Sequence, residues 1–473
     1  MTSFRSDTII APATSIGAGA ISIIRISGDA AFQVADALVA FKDGKCADFP
    51  GYSIHFGSIL LEDGSPLDDV LVSVFRSPHS YTGENSVEIS CHASSYVVQE
   101  VLRLGIEAGA RLAEAGEFTK RAYMNGKMDL AQAESVADII SSEDSISHRV
   151  AFNQMRGGFS HELTVLKDRL QEMAALMELE LDFSEEDVEF ADRTNLIGLL
   201  DEVLGHIDSL ASSFRVGNAL KNGVPVVIAG AANTGKSTLL NALLGEDRAI
   251  VSDIAGTTRD TIEEVIRIGN VRYRFIDTAG IRTTDETIEK IGIERSVRKI
   301  SEAEIVLAVV DASASEEEIS RQLSEIVSYV SFERQKLAIL VNKCDILGLN
   351  KNVSINNKFV TFADTQIVRF NISAKTSEGL DEVKNWLSSW EKDNINASSD
   401  AVLVTNMRHF EALSAARTPL LRARSGLTSS LPTDLVAQDL REAISDLDSI
   451  LGTSAITADT TLSLIFSRFC IGK

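Results

Sequence analysis

Gly230-Ala-Ala-Asn-Thr-Gly-Lys-Ser237 is the stretch that decides the fold. It fits GxxxxGK[ST], follows the apolar run 226–229 and leads into the helix-like Thr238-Leu-Leu-Asn-Ala-Leu-Leu244. Strand, glycine turn and helix in that order make a phosphate loop. Glycine lets successive backbone N–H groups converge on one anion, and the helix N-terminus adds positive potential. In such a loop Lys236 reaches the β- and γ-phosphates and Ser237 holds Mg²⁺.

Moving outward, Asp277-Thr278-Ala279-Gly280 ends an apolar run. There a carboxylate can hold the Mg²⁺ shell and a glycine N–H can sense the γ-phosphate. Asn342-Lys343-Cys344-Asp345 ends another run. Asp345 can accept from guanine N1–H and N2–H₂, whereas adenine offers neither donor and would leave the carboxylate unpaired. Ser373-Ala374-Lys375 would pack the base edge, and Thr257-Thr258 stands where a switch threonine belongs. Five elements in this order predict a GTPase that contacts nucleotide through Asn233, Thr234, Gly235, Lys236, Ser237 and Thr238 as well. Ile281 follows Gly280 where Ras-like enzymes carry a water-orienting Gln. Something else must stabilise the transition state.

Strand-like runs at 226–229, 273–276, 305–310, 337–341 and 367–372 alternate with helical stretches, which predicts a parallel α/β sheet. Before it, residues 1–120 mix strands (21–26, 70–75, 86–90) with a helix at 97–115, an α+β pattern. The apolar stretch 9–26 reads as strand, Gly-rich turn and strand. Leu163, Leu166, Leu170, Met173 and Met177 form one apolar helix face, interrupted by an acidic run at 184–189 before a second amphipathic helix at 197–214. Lys221-Asn-Gly-Val-Pro225 is a break, 391–400 reads as a polar linker, and Leu435, Leu440, Ile444, Leu447 and Leu451 mark a returning helix. The expected fold class is multidomain: an α+β N-terminal domain (1–120), an all-α helical domain in two parts (121–220 and 391–473), and an inserted α/β P-loop GTPase domain (221–390).

The 473 residues suggest about three domains at ~150 residues each. Forty-five Lys and Arg against 68 Asp and Glu give a net charge of −23, a poor field for nucleic acid, so RNA contact needs a local basic patch or a basic partner. Cys46, Cys91, Cys344 and Cys470 form no CxxC, which argues against a zinc ribbon or disulfide scaffold. No run of ~20 apolar residues predicts a membrane span, and the N-terminus lacks a signal-peptide pattern. The expected location is the cytoplasm. Cys470 lies fourth from the end, but Gly472 and Lys473 do not fit a prenylation box.

The sequence resembles the bacterial tRNA uridine-modification GTPase family MnmE (TrmE). The resemblance is carried by Ile254-Ala-Gly-Thr-Thr-Arg-Asp260, by Asn233 in the phosphate loop and by the terminal Phe469-Cys-Ile-Gly-Lys473. Arg25-Ile-Ser-Gly28, Tyr81-Thr-Gly-Glu84, Gly116-Glu-Phe-Thr119 and Asp129-Leu-Ala-Gln-Ala-Glu134 agree as well. It implies a K⁺ ion in place of an arginine finger, held by Asn233, Ser252, Ile254 and Thr257. Thr258 would join Ser237 on Mg²⁺, and Asp253, Ala255 and Gly256 would line the nucleotide. Glu289 would position the attacking water, although by itself it reads as a solvated helix carboxylate. Arg259 and Arg282 become spectators rather than fingers.

The resemblance further implies a folate-binding N-terminal domain. Arg25, Glu84, Lys127 and Lys473 would contact a 5-formyl-tetrahydrofolate-type ligand, with Cys470 nearby in the tRNA chemistry. Taken alone, the four would read as ordinary surface charges and Cys470 as a buried small apolar residue. The implied reaction installs an aminomethyl or carboxymethylaminomethyl group on C5 of the tRNA wobble uridine, performed by a homodimer with the FAD-dependent partner MnmG. Two departures stand out: Ala232 replaces the usual Pro, and Gly17-Ala-Gly-Ala20 is a loose glycine loop. A ribosome-assembly GTPase would need a KH-type GxxG module, which is not evident. A purely regulatory switch would differ in not binding folate.

Overall fold

The computed structural model describes residues 7–15, 19–182, 193–245, 264–276, 299–346, 359–362, 365–395, 402–429, 431–453, 462, 465–467, 469 and 472. The chain forms two compact units. One comprises Met1–Ser141, Ala151–Ile207 and Glu411–Lys473, the other Ser142–Val150 and Asp208–Phe410.

The first unit carries a seven-stranded sheet built from β1 (Ile9–Pro12), β2 (Ile21–Ser27), β3 (Val39–Phe41), β4 (Ser53–Leu60), β5 (Pro66–Phe75), β6 (Ser86–His92) and β7 (Arg111–Leu112), in the order β3-β4-β5-β6-β2-β1-β7. Strict alternation sorts its residues onto two faces. Ile24, Ile26, Val70, Val72, Val74, Val87 and Ile89 point to a core shared with helices Ala31–Leu38 and Ser95–Glu107. Each such side chain contributes about 1.5–3 kcal/mol of burial. The opposite face carries Arg25, Ser27 and Glu88, with Arg25 and Glu88 directly opposed across β2 and β6. The helix expected over 97–115 stops at Glu107. Gly109 at φ +104 turns the chain, as a left-handed residue just past a helix end does, and β7 then joins β1 in parallel.

The helical part of this unit packs Gly158–Asp182 against Thr433–Leu451. Leu163, Leu166, Leu170, Met173 and Met177 are all buried, as are Leu440, Leu447 and Leu451. Leu435, expected in the same stripe, is instead exposed in the first turn of its helix.

The second unit holds β8 (Val224–Ala229), β9 (Glu264–Ile268), β10 (Val271–Phe275), β11 (Ile305–Asp311), β12 (Lys336–Asn342), β13 (Phe359–Phe362) and β14 (Thr365–Asn371), ordered β13-β14-β12-β11-β8-β10-β9. The five central strands are parallel, as the alternation predicts. Antiparallel β9 and β13 close the two edges, and neither was expected. β9 and β10 meet across Gly269-Asn270, with Gly269 at φ +66, a two-residue hairpin turn. The stretch read as a linker from 391 begins helical: Leu380–Ile395 is one helix, with Trp390 buried and bonded through its carbonyl to Asn394. Parallel strands place all their carboxyl ends on one edge, where open α/β sheets bind ligands.

Candidate nucleotide and N-terminal sites

At that edge β8 runs into the phosphate loop and the helix Lys236–Gly245. Two glycines make the loop possible. A Cβ on Gly230 (φ +156) would stand 2.3 Å from the Val309 carbonyl oxygen, and one on Gly235 (φ +94) 2.2 Å from Asn342 Nδ2. Asn233 holds the left-handed region at φ +62, one of the few non-glycine types that does so readily, and its side chain is exposed, as is Thr238. Thr234 is buried, its hydroxyl donating to the Ala231 carbonyl at 3.0 Å. Lys236 Nζ donates to the Gly230 and Ala231 carbonyls at 2.9 and 2.7 Å. Burial pulls its pKa below the usual lysine value, a cost that an anionic phosphate would offset. Ser237 is half-buried in the first turn of the helix.

Asn342 joins this loop to the base loops. Its Nδ2 donates to the Thr234 carbonyl at 2.8 Å and its Oδ1 accepts from Ala374 N at 2.9 Å. Asp345 is exposed at the mouth and oriented by Ser373, whose hydroxyl donates to Asp345 Oδ1 at 2.8 Å. Ser373 Oγ also accepts from Thr376 N at 3.3 Å. Ala374 is buried and Lys375 exposed. Lys343, at φ +69, donates to Asp311 Oδ2 at 2.6 Å. Asp311 went unflagged in the sequence, though it ends a strand just as Asp277 ends an apolar run. The structure thus brings together Asn233, Thr234, Gly235, Lys236, Ser237, Asn342, Lys343, Asp345, Ser373 and Ala374 at one sheet edge. Ser252, Asp253, Ile254, Ala255, Gly256, Thr257, Thr258, Asp277, Thr278, Ala279, Gly280 and Glu289 lie outside the described residues.

In the first unit, Arg25 pairs with Glu88 at 2.8 Å and lies over the rings of Tyr81 and Phe118, 5.2 and 5.5 Å from their centroids. Two positions along the same face, Ser27 donates to Glu84 Oε2 at 2.7 Å. Glu84 also takes Arg121 Nη1 at 3.2 Å on both oxygens. Arg121 is almost fully buried and binds Asp7 and Glu117 too. Burial alone would lower its pKa, but the Glu84 and Glu117 carboxylates outweigh that and raise it, so it stays cationic. Sequence reading missed Arg121, because Glu117 beside it on the helix Glu117–Met124 is an ordinary i,i+4 partner and nothing local shows that Asp7 and Glu84 meet there too. Lys127 is exposed and donates to the Pro78 carbonyl at 2.9 Å. Cys470 and Lys473 lie outside the described residues, but their neighbour Gly472 does not. A Cβ there would stand 1.9 Å from the Pro12 carbonyl oxygen at the end of β1. Cys46, Cys91 and Cys344 are free thiols. Among the described residues no helix is long and apolar enough to cross a membrane.

Comparison with known proteins gives matches along the whole chain. Residues 8–127 match the family described as GTP-binding protein TrmE N-terminus, and residues 130–470 match the MnmE helical domain. The tRNA modification GTPase MnmE of Porphyromonas gingivalis is 47% identical over 100% of this chain and 99% of its own. That of Bacteroides thetaiotaomicron is 48% identical over 99% of each. Among solved structures, a point variant of Aquifex aeolicus Era bound to GDP and AlF4⁻ is 25% identical, covering 42% of this chain and 66% of its own with a TM-score of 0.27.

Proposed function

This chain belongs to the MnmE family of tRNA modification GTPases, and from that premise we propose that it hydrolyses GTP, with K⁺ stimulating the reaction, to drive modification of the tRNA wobble uridine. The observation that carries the nucleotide half is Asn342, which ties a glycine-cradled phosphate loop to the Asp345 and Ala374 loops through two buried hydrogen bonds. Gly230 and Gly235 let the loop close tightly against the Val309 carbonyl and Asn342, where any Cβ would collide, and a loop held in this turn suits a polyphosphate. Asp345 reads guanine, and Ser373, Ala374 and Lys375 wall the base. Lys236 exchanges its loop carbonyls for phosphate oxygens. Ser237, with Thr258, holds Mg²⁺. Asn233 contributes a side-chain oxygen to K⁺ together with Ser252, Ile254 and Thr257, and Glu289 orients water. Asp253, Ala255, Gly256, Thr278, Ala279 and Gly280 complete the nucleotide contacts beside Asp277.

The second half of the proposal is a folate one-carbon donor in the first unit. Its chemistry suits the group around Arg25: flat rings in Tyr81 and Phe118, a cation at Arg25, and a carboxylate at Glu84 whose orientation Arg121 and Ser27 hold. Lys127 and Lys473 would meet the ligand's carboxylates and Cys470 would lie close by. A bound folate would supply the methylene carbon joined to C5, the amino or carboxymethylamino part coming from an amine co-substrate, with the FAD-dependent MnmG as partner, both in the cytoplasm. A homodimer is supported by the open face of the first sheet, where Ile54 is 66% exposed beside Phe56 and Leu71, which face each other across β4 and β5. Contiguous exposed apolar surface of this kind marks interfaces.

Two measurements test the proposal. GTP turnover is compared in KCl and NaCl at equal ionic strength, and equal rates would overturn the K⁺ role. The wobble-nucleoside profile of tRNA is read from cells lacking the protein, and an unchanged profile would overturn the tRNA role.

A further inference from the structure

The sheet order β14-β12-β11-β8 puts the end of β11 between the base loops, which follow β12 and β14, and the phosphate loop, which follows β8. A nucleotide spanning these loops must cross that strand end. Asp311 is the last residue of β11 and pairs in register with Asn342. Its two oxygens have separate tasks. Oδ1 accepts from Ser313 N at 2.9 Å and from Ser313 Oγ at 2.7 Å, which fixes the carboxylate. Oδ2 takes the Lys343 ammonium at 2.6 Å. The Lys343 stem therefore bridges from the end of β12 to the end of β11, with the left-handed backbone at φ +69 setting its departure. Burial pushes the Asp311 carboxyl up, but the hydrogen bonds from Lys343 and Ser313 outweigh it and hold the group below the usual carboxylate range.

We propose that Asp311 is a positioning residue of the guanine-nucleotide site: it holds Lys343 extended before nucleotide arrives, so that the lysine methylenes present a ready surface to the guanosine moiety. The inference rests on the nucleotide reading above. Lysine is among the most mobile of side chains, and ordering it only on binding would weaken affinity roughly two- to tenfold. Because Asp311 acts at the nucleoside end and not at the γ-phosphate, GDP and GTP suffer alike.

A double-mutant cycle tests it on the full chain, with a fluorescent GDP analogue as probe and unlabelled GDP and GTP as competitors. Asp311→Asn should weaken both nucleotides by the same factor, roughly two- to tenfold, with kcat at saturating GTP unchanged. In a Lys343→Met background the same substitution should cost nothing further. Ser313→Ala, a milder change that only loosens the carboxylate, should give a smaller loss in the same direction. Additive losses, or a lowered nucleotide-free melting temperature with unchanged affinity, would show a merely structural ion pair and overturn the inference. Asp345→Asn is run alongside as a control. If it fails to shift preference from guanine to xanthine nucleotides, the nucleotide reading itself falls. If it does shift and Asp311→Asn is silent, only the Asp311 inference falls.

Discussion

Asn342 on β12 reaches the phosphate loop directly, donating from Nδ2 to the Thr234 carbonyl at 2.8 Å. The amide is buried and uses both ends, since Oδ1 accepts from Ala374 N. One side chain thus fixes the spacing between the loop that would hold phosphate and the loop that would hold base. Asn342→Ala leaves two buried backbone groups unpaired, at about 1–3 kcal/mol each. The variant should melt lower and lose nucleotide affinity more than tenfold. Asn342→Asp should be no better, because its carboxylate would face the Thr234 carbonyl. Calorimetric titration with GDP checks both, and wild-type affinity in either would count against the tether.

A second buried joint holds the second unit together far along the chain. Arg272 on β10 donates from Nε to Asp144 Oδ2 at 3.0 Å and from Nη2 to the Lys221 carbonyl at 2.7 Å. Asp144 Oδ1 meanwhile accepts from Ile146 N and Ser147 N at the start of the helix Ser145–Met155. Asp144→Ala removes the cap and one of the two carboxylates on the Arg272 guanidinium, which keeps Glu143 at 3.3 Å and the Lys221 carbonyl, a loss of about 1–3 kcal/mol. Asp144→Asn keeps a capping oxygen and should lose less. Trp386 and Trp390 both lie in this unit, so urea unfolding followed by tryptophan emission reads it. Equal losses for the two variants would refute the split between cap and ion pair.

The phosphate loop was legible because its requirements are local and contiguous: glycines where a side chain would collide, then a lysine, a hydroxyl and a helix. The five parallel strands were legible from their near-continuous apolar runs. The edge strands β9 and β13 were not, because they run only five and four residues. The helix expected to reach Ala115 ended early because Gly109 breaks a pattern whose apolar residues continue past it. Leu435 stands five residues before Leu440, off the stripe that Val436, Ala437 and Leu440 bury. Arg121 and Asp311 were missed for another reason. Their meaning lies in partners 37 and 32 residues away, Glu84 and Lys343, and no local spacing announces such a pair.

Stability of the first unit should fall on acidification, and the sign follows from its carboxylates. Burial pushes Glu117 up, but bonds from Arg111, Glu114 N and Arg121 outweigh it and hold its pKa below the ordinary 4.5. Asp7 is likewise held below 3.8: partial burial opposes the shift, and Arg111 and Arg121 prevail. A lowered folded pKa contributes stability that is fully present above the unfolded value and is lost as pH falls through the folded one. Wild-type unfolding midpoints in urea should therefore drop between about pH 5 and pH 3. Glu117→Gln should start lower at pH 7 and drop less over that interval. Far-UV circular dichroism is the readout, because both tryptophans report the other unit. Parallel pH curves for the two proteins would contradict the assignment.

Tail placement separates GTP hydrolysis from tRNA modification most sharply. Phe466 and Phe469 are buried with Leu130, Ala133 and Leu462. A Cβ on Gly116 (φ +68) would stand 2.6 Å from the Phe466 carbonyl oxygen, so the chain passes tightly over that glycine. Beyond this anchor, Gly472 at φ +99 lies against β1, where a Cβ would meet Pro12 backbone atoms at 1.9 and 2.9 Å and Ala13 Cα at 3.2 Å. Backbone on a strand cannot yield as a flexible side chain can. Gly472→Ala should therefore lift residue 472 off β1 while the two phenylalanines stay packed. Melting should change little, unlike Phe466→Ala, which empties a core position at about 3–5 kcal/mol. GTP turnover should be unchanged, since every residue proposed to contact nucleotide lies in the other unit. Folate affinity and modified wobble nucleoside should both fall at least tenfold, because Cys470 and Lys473 flank the displaced glycine. Turnover assays, folate titration and mass spectrometry of tRNA nucleosides from a complemented deletion strain supply the three readouts. Normal modification by Gly472→Ala would show that the seat of the tail on β1 plays no part in the chemistry.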